Sequence, residues 1–193
     1  MNQTPSDSPA GSASDVASEP RRDAGADAPA LAARPRFARP HRVAFIQSSH
    51  HADIVEACRL AFLEEVSVHG IAANQVGLFV VPGAYEIPLH AQLLAKTGRF
   101  TAIVAAALVV DSGVYRHAHV ASTVVNALMQ VQLQTEIPIF SAVLTPQQFH
   151  EQAAQFDFFR QHFALKGVEV AQACLHTLSS LDFLGSQVAA GLE

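Results

Sequence analysis

The sequence has few cysteines and no long apolar run, and both absences narrow the kind of protein it encodes. The 193-residue chain contains two cysteines, Cys58 and Cys174, each within a helical apolar pattern. We interpret them as buried, reduced thiols rather than as a disulfide or a metal site. No apolar run approaches the roughly 20 residues that a membrane-spanning helix needs, and the N-terminus lacks the apolar core of a secretion signal. A cytoplasmic location is therefore expected.

Charged side chains are also scarce, at 15% of the chain, whereas half of all residues are hydrophobic. The formal net charge is -5, and there is no long run of lysine or arginine. Nucleic acid and anionic membranes are therefore poor candidates as partners, because both are bound through positive charge. The apolar composition fits a subunit that buries further surface in an assembly.

Several short motifs of known chemistry are missing as well. The sequence contains no GxGxxG, no GxxxxGK[ST], no HExxH and no CxxC. The first two motifs bind nucleotide phosphates, and the last two serve metal binding or redox chemistry. The ten histidines are scattered at spacings that match no metal-ligand template. We therefore predict neither a familiar nucleotide-phosphate loop nor a metal site.

The first 40 residues differ in composition from the rest of the chain. They are rich in Ala, Pro, Ser, Asp and Gly, and they show no hydrophobic period. Such a segment cannot bury enough apolar area to offset the entropy lost on ordering. We therefore expect a disordered extension over 1–40, a domain over 41–185 and a C-terminal tail over 186–193.

From Arg42 onward, apolar runs of strand length alternate with helical patterns. A buried parallel strand forms a continuous apolar run because both of its faces are covered. The predicted strands are 43–46, 75–81, 101–110 and 137–144. The predicted helices are about 52–69, 85–96, 114–134, 147–162 and 168–178. This alternation predicts an α/β fold, a three-layer αβα sandwich with a parallel sheet and helices on both of its faces.

Each predicted strand ends in a turn that carries polar side chains. In open α/β sheets, ligands bind outside the carboxyl ends of the strands. If the strands are all parallel, the turns lie together on one edge of the sheet. These turns are 47–51, 82–86, 110–119 and 141–146.

Two of the turns carry groups suited to binding or proton transfer. Backbone N–H groups at 112–114, at a helix start, suit an anion such as phosphate. Glu86 can accept hydrogen bonds from a ring rich in N–H groups, and Arg116 and His117 can bind phosphate or move protons. Simpler structural roles exist too: Glu86 can be a favourable partner of a helix dipole, and Tyr115 a core or interface aromatic. The pattern alone predicts a ligand site here but does not identify the reaction.

The stretch 81–151 resembles a known enzyme family. It reads VPGAYEIPLHAQLLAKTGRFTAIVAAALVVDSGVYRHAHVASTVVNALMQVQLQTEIPIFSAVLTPQQFHE and contains the signature G-A-[FY]-E-I-P. It is similar to 6,7-dimethyl-8-ribityllumazine synthase, most of all to the second type of that enzyme. The similarity extends from about Arg42 to Leu178. Together with the strand–helix alternation, it implies a flavodoxin-like, four-stranded parallel sheet.

The resemblance implies a condensation that needs no cofactor. The 5-amino group of 5-amino-6-ribitylaminouracil forms an imine with 3,4-dihydroxy-2-butanone 4-phosphate. Phosphate is then lost, and ring closure with dehydration gives the lumazine, the immediate precursor of riboflavin. Such an enzyme must hold two substrates in register, bind phosphate and move protons near neutral pH. The resemblance also implies a homo-oligomer, a pentamer or a decamer, with sites between its subunits.

Three segments match the positions that hold the pyrimidine substrate in this family. They are Ala84, Tyr85 and Glu86 in the second turn; Leu108, Val109 and Val110 at the end of the third strand; and Ser141, which matches a position on the neighbouring subunit. Tyr85 stands where the family usually has Phe. Ser141 stands where the first type of the enzyme has Phe.

The phosphate loop and the proton-transfer groups follow the third strand. Gly113 and Val114 match the phosphate loop of the family. Arg116 falls on the position of the family's general acid/base histidine, and the second type commonly has Arg followed by His there. This chain keeps that pair as Arg116 and His117. The resemblance therefore implies that these two residues are catalytic.

The chain departs from the family pattern at two positions. The aromatic residue that stacks on the substrate ring aligns with His50, and the chain has no tryptophan. An imidazole can stack, but it offers less apolar area. The phosphate-binding cation of the fourth-helix region aligns with Gln155, so Arg160, His162 or Lys166 is expected to reach the phosphate instead.

The sequence is consistent with two functions of different classes. The first is an active lumazine synthase of the second type, which Glu86, Arg116 and His117 favour. The alternative is a non-catalytic or weakly active paralog that binds a lumazine or a flavin, which His50 and Gln155 favour. A flavodoxin-like electron carrier is disfavoured, because no Ser/Thr-rich phosphate loop follows the first strand.

Overall fold

A computed structural model describes residues 40–110, 117–146, 149 and 152–191, with the side chain of His117 excepted. Residues 1–39, which belong to the predicted disordered extension, lie outside this description. The strands are β1 (Val43–Ser48), β2 (Val76–Val81), β3 (Ala102–Leu108) and β4 (Ile139–Leu144). The α-helices are α1 (Ala52–Val68), α2 (Ile87–Lys96), α3 (His117–Thr135) and α4 (Ala153–Ala189). Short 3-10 turns over Ala73–Gln75 and Ala84–Glu86 precede β2 and α2, respectively.

The four strands form one sheet in the order β2-β1-β3-β4, and every neighbouring pair is parallel. The inner strands β1 and β3 are buried along their whole length, as expected for continuous apolar runs covered on both faces. The predicted parallel α/β sandwich is therefore confirmed. β1 is longer than the predicted 43–46, because Gln47 and Ser48 continue to pair with β2.

Helices cover both faces of the sheet, and each layer has its own apolar core. The first core joins alternate β1 residues such as Val43 and Phe45 to α1 and α4. The second core joins Ala44 and Ile46 to α2 and α3. Successive side chains of a strand point to opposite faces, so the uninterrupted apolar run of β1 supplies both cores.

The fourth helix differs from the prediction. The sequence predicts two helices separated at Lys166-Gly167, but α4 is a single helix of 37 residues that runs to Ala189. Glycine costs about 1 kcal/mol relative to alanine within a helix, yet Gly167 stays helical because α4 packs tightly against α1 there. A Cβ at Gly167 would overlap the carbonyl oxygen of Cys58 and lie 3.0 Å from the Cβ of Ala61. The prediction of a break was wrong because this glycine permits close helix packing.

Both cysteines lie in the core between the sheet, α1 and α4. Cys58 and Cys174 are free and fully buried, as predicted. Burial raises the pKa of each thiol to about 12, because a thiolate would lose its hydration there. They act as small apolar residues of the core.

The structure leaves one edge and one helix layer partly uncovered. Leu78 and Val80 of the edge strand β2 are about half exposed, at 47% and 57%. A further exposed apolar set lies on α2 and α3 and is called here the α2–α3 face. It consists of Leu89, Leu93, Val125, Met129 and Leu133. Among the described residues, no helix is long and apolar enough to span a membrane.

Candidate functional site

The carboxyl ends of the four strands lie on one edge of the sheet, as predicted. The strands are parallel, and their ends are in register, since Ser48 pairs with Val81 and Leu108 pairs with Leu144. The backbone N–H of Val109 also donates to the carbonyl of Leu144 at 2.9 Å, just beyond the paired strands. This carboxyl edge is where ligands bind in open α/β sheets.

Hydrogen bonds join the first turn to the second. The backbone N–H of Ser49 donates to the carbonyl of Val81 at 2.8 Å, and its hydroxyl donates to the carbonyl of Pro82 at 3.1 Å. The buried hydroxyl of Ser48 donates to the carbonyl of His50 at 3.3 Å. These bonds hold the first turn against the segment that carries Glu86.

In the second turn, the predicted residues lie on the 3-10 turn Ala84–Glu86. Glu86 is half-buried, and its Oε2 accepts a hydrogen bond from the backbone N–H of Gly83 at 2.9 Å. The carboxylate thus lies beside the start of α2, where a negative charge is favourable. Ala84 is half-buried, whereas the Tyr85 side chain is 69% exposed. Tyr85 therefore has little contact with its own chain and is available to a substrate or a second subunit.

The residues at the end of the third strand lie at the centre of the carboxyl edge. Leu108 and Val109 are buried, at 4% and 9% exposure, and they pack into the two opposite cores. Val110 is half-buried against the core beside α1 and α4. Of these three predicted residues, Val110 is therefore the most accessible to a ligand.

The predicted residues that follow the third strand fall in the segment that leads into α3. Gly113, Val114 and Arg116 lie outside the described residues, and His117 is described by its backbone alone, as the first residue of α3. Among the described elements, α3 follows the carboxyl end of β3 in the chain, and its first described residue is at its N-terminus. Such a terminus favours an anion.

His50 is exposed at the tip of the first turn, and its neighbour His51 is packed. His51 has a left-handed backbone, with φ 49° and ψ 47°, which costs a non-glycine residue roughly 1–3 kcal/mol. Its ring contacts the rings of Phe149 and Phe156, with centroid distances of 5.1 Å and 6.2 Å. These three rings, called here the aromatic clamp, join the first turn to the region after β4.

The predicted phosphate-binding residues of α4 separate in space. Gln155 lies half-buried in the first turn of α4, next to the carboxyl edge. At a rise of about 1.5 Å per residue, Arg160 and Lys166 lie roughly 10 Å and 20 Å further along the helix from its start at Ala153. Arg160 pairs with Asp157 at 3.2 Å, and Lys166 pairs with Glu169 at 2.6 Å. Within one chain, these two cations are therefore not brought to the turns.

Two other predicted residues have different surroundings. His162 stacks on the ring of Phe158, with parallel planes and centroids 6.2 Å apart. Ser141 is exposed on the edge strand β4, where it pairs with Ala105, well before the end of the strand. Ser141 is thus remote from the turns of its own chain but open to a neighbouring one.

Sequence reasoning missed Gln47 and the aromatic clamp. Gln47 is 6% exposed, and its Oε1 has no hydrogen-bond donor among the described residues. An unsatisfied buried acceptor costs about 1–3 kcal/mol and calls for an explanation. The sequence signal for Gln47 was a polar residue that directly continues an apolar strand.

The described part of the chain holds no group of three His, Cys, Asp or Glu side chains arranged to bind a metal.

The chain is similar to named proteins over most of its described residues. Residues 40–182 match the family model described as 6,7-dimethyl-8-ribityllumazine synthase. A Bradyrhizobium diazoefficiens protein named 6,7-dimethyl-8-ribityllumazine synthase 2 is 61% identical over 166 residues, which cover 86% of this chain and 99% of that protein. A Rhodopseudomonas palustris protein of the same name is 56% identical over 172 residues, covering 88% and 94% of the two chains.

A relative whose name carries the number 1 is less similar. A Caulobacter vibrioides protein named 6,7-dimethyl-8-ribityllumazine synthase 1 is 30% identical over 142 residues, which cover 74% of this chain and 91% of that protein. The chain thus resembles the proteins numbered 2 about twice as closely as this protein numbered 1. This agrees with the predicted resemblance to the second type.

Proposed function

Because this chain belongs to the 6,7-dimethyl-8-ribityllumazine synthase family, we propose that it condenses 5-amino-6-ribitylaminouracil with 3,4-dihydroxy-2-butanone 4-phosphate. The observation that carries the proposal is the extent of the family match, residues 40–182. That range begins before β1, includes all four strand-end turns and covers most of α4. No part of the predicted site lies outside it.

The reaction needs two substrates held side by side and protons moved between them. The 5-amino group attacks the ketone, and loss of water gives the imine. Phosphate then leaves, and the ribityl-bearing nitrogen closes the second ring with loss of another water. Each step moves protons to or from nitrogen and oxygen, so groups that titrate or donate near neutral pH are required.

The carboxyl edge supplies suitable groups for the pyrimidine. Glu86 Oε2 is engaged by Gly83, while Oε1 accepts no hydrogen bond from the described residues. In this proposal, Oε1 and the backbone around Ala84 and Tyr85 bind the N–H groups of the uracil and the ribityl chain. Val110 lies beside the ring, and His50 covers one of its faces.

Phosphate binding and proton transfer are assigned to residues around the start of α3. Gly113 and Val114 contact the phosphate through backbone N–H groups, next to the N-terminus of α3. Arg116 and His117 move protons between the substrates. Gln155 contributes an uncharged contact to the phosphate. Arg160 and Lys166 lie further along α4, so either of them binds the phosphate only at the site of a neighbouring subunit.

The activity is tested with the purified full-length chain and both substrates, following lumazine formation optically. We expect a rate well above that of the uncatalysed condensation. A rate equal to the uncatalysed one would contradict the proposal, and it would favour a protein that binds lumazine or flavin without turnover.

A substitution at His50 tests the pyrimidine side of the site. His50 is exposed at the tip of the first turn, and tryptophan has more apolar area and a stronger π face. An aromatic pair is worth about 0.5–1.5 kcal/mol beyond its area, so His50→Trp should bind a ribityl-pyrimidine analogue about 2- to 13-fold more tightly. Titration of the parent, His50→Trp and His50→Ala gives the affinities. If all three proteins bind the analogue with equal affinity, His50 does not contact the pyrimidine.

A homo-oligomer with sites between its subunits is also part of the proposal. Exposed apolar side chains on the α2–α3 face, with Leu133 71% exposed, support a buried subunit contact. Exposed Tyr85 and Ser141 are then available to complete the site of a neighbouring copy. A decamer is proposed from the resemblance to the second type.

Light scattering tests the assembly. We expect a mass about ten times that of the 20.6-kDa chain, and we expect Met129→Glu with Leu133→Glu to lower it, because charge would be buried at the contact. Val68→Glu, an exposed apolar site at the end of α1 (77% exposed), is the matched control and should leave the mass unchanged. A parent protein that stays monomeric would refute the assembly.

The proposal places the enzyme in the cytoplasm. Both cysteines are free thiols, as is usual in that reducing compartment.

A further inference from the structure

We propose that His51 is a positioning residue for the pyrimidine substrate, and that its place in the aromatic clamp sets the direction of His50. This inference rests on the proposed function, because it concerns the same carboxyl edge. It extends that function to a residue that the resemblance does not assign.

The first reason is the backbone of His51. It is in the left-handed region, with φ 49° and ψ 47°, and among the described residues Glu136 is the other non-glycine residue with a positive φ. The carbonyl oxygen of His51 accepts hydrogen bonds from the N–H groups of Ile54 and Val55, both at 3.0 Å. His51 therefore turns the chain from β1 into α1. Because His50 precedes this turn directly, its direction depends on the conformation of His51.

The second reason is the surroundings of the His51 ring. His51 is the N-cap residue of α1, and its side chain makes no capping hydrogen bond. Its ring lies edge-on to Phe149 at 5.1 Å, and Phe149 lies edge-on to Phe156 at 5.5 Å. Contacts of this kind stabilise one ring position, and strained backbone conformations persist where the surroundings enforce them.

The third reason is the position of the clamp between two turns. Ser49 binds the second turn through two hydrogen bonds, whereas His51 contacts Phe149 in the region after β4. The first turn is thus held on both sides of His50. His50 itself is exposed, with its ring 5.7 Å from that of His51. A residue that covers the substrate ring, as proposed for His50, needs a fixed backbone position, because small displacements of a positioning group weaken binding and slow the reaction.

The test separates the ring of His51 from its backbone. His51→Asn removes the ring but suits the left-handed conformation, since Asn is enriched there. His51→Phe keeps an aromatic ring in the clamp, and Phe149→Leu removes the ring from the other side. Phe100→Leu is the matched control, because Phe100 forms a similar edge-on pair with Phe79 at 5.7 Å and is 4% exposed, but lies before β3 at the opposite edge.

We expect His51→Asn and Phe149→Leu to raise the KM for the pyrimidine about five-fold, while the KM for the butanone phosphate changes less than two-fold. His51→Phe should recover most of the affinity, and Phe100→Leu should lower the melting temperature without changing either KM. The inference is overturned if His51→Asn keeps the parent KM for the pyrimidine, or if it raises the KM values for both substrates by the same factor.

The same variants are titrated with a ribityl-pyrimidine analogue. If the parent lacks synthase activity, the proposed function fails, and the titration still decides the role of the clamp. A five-fold weaker binding by His51→Asn supports the inference in that case. Unchanged binding overturns it.

Discussion

Replacing Gly167 by alanine is expected to lower the free energy of unfolding by about 3 kcal/mol, the upper end of typical overpacking costs. Helix propensity alone predicts the opposite sign, a gain of about 1 kcal/mol. Packing should dominate because the new Cβ would overlap the carbonyl oxygen of Cys58, which belongs to the backbone of α1 and cannot rotate away. α1 and α4 would have to separate along their contact.

Urea or thermal unfolding of Gly167→Ala measures this effect. For a domain of this size, about 3 kcal/mol corresponds to a fall in Tm of roughly 6–12 °C. Ser180→Ala is the control, because Ser180 is an exposed residue of the same helix and should gain slightly in helix propensity. A more stable Gly167→Ala variant would show that the close packing of α4 on α1 is not present in solution.

Removing both proton-transfer side chains, in Arg116→Ala with His117→Ala, is expected to lower kcat by about 100-fold or more. General acid–base groups typically contribute about 10²–10⁴-fold, and the condensation requires proton transfer at nitrogen and oxygen in every step. Binding of the pyrimidine should change little, since Glu86 and His50 lie in other turns and Val110 is left unchanged. Steady-state kinetics and analogue titration give the two quantities separately.

His119→Ala is the matched control for this pair. His119 is exposed and lies in the first turn of α3, two residues after His117. It should retain the parent kcat. Chemical rescue sharpens the assignment: guanidinium should partly restore Arg116→Ala, and imidazole should partly restore His117→Ala. If the double variant keeps the parent kcat, Arg116 and His117 are not the acid–base groups, and other residues at the carboxyl edge perform that role.

Much of the fold was determined by the sequence alone. Apolar runs such as 102–108 indicate strands buried on both faces, because a strand with both faces covered hides every side chain of a continuous apolar run. Their alternation with helical patterns specifies a parallel sheet, and a parallel sheet places all strand-end turns on one edge. The position of Glu86, Ala84 and His50 at this edge followed from these local patterns. The family was likewise visible in the sequence.

Local patterns failed where contacts between distant segments decide the conformation. Lys166-Gly167 looks like a helix end, yet the packing of Gly167 on Cys58 keeps α4 continuous. The run 75–81 looks like a buried strand, yet β2 lies at the edge of the sheet and exposes Leu78 and Val80. Secondary-structure propensity depends on a residue and its near neighbours in the sequence. The continuity of α4 and the edge position of β2 depend instead on packing against distant segments.

The tertiary structure also decided which of two adjacent histidines is held and which is open. By local pattern, His50 and His51 are equivalent members of one polar turn, and the family resemblance alone singles out His50. In the fold, His51 takes a left-handed backbone and packs against Phe149 and Phe156, and His50 is left exposed at the carboxyl edge. Ring contacts with residues so far along the chain offset the backbone strain. No local pattern encodes them, because they exist only once β1 and β4 have joined the same sheet.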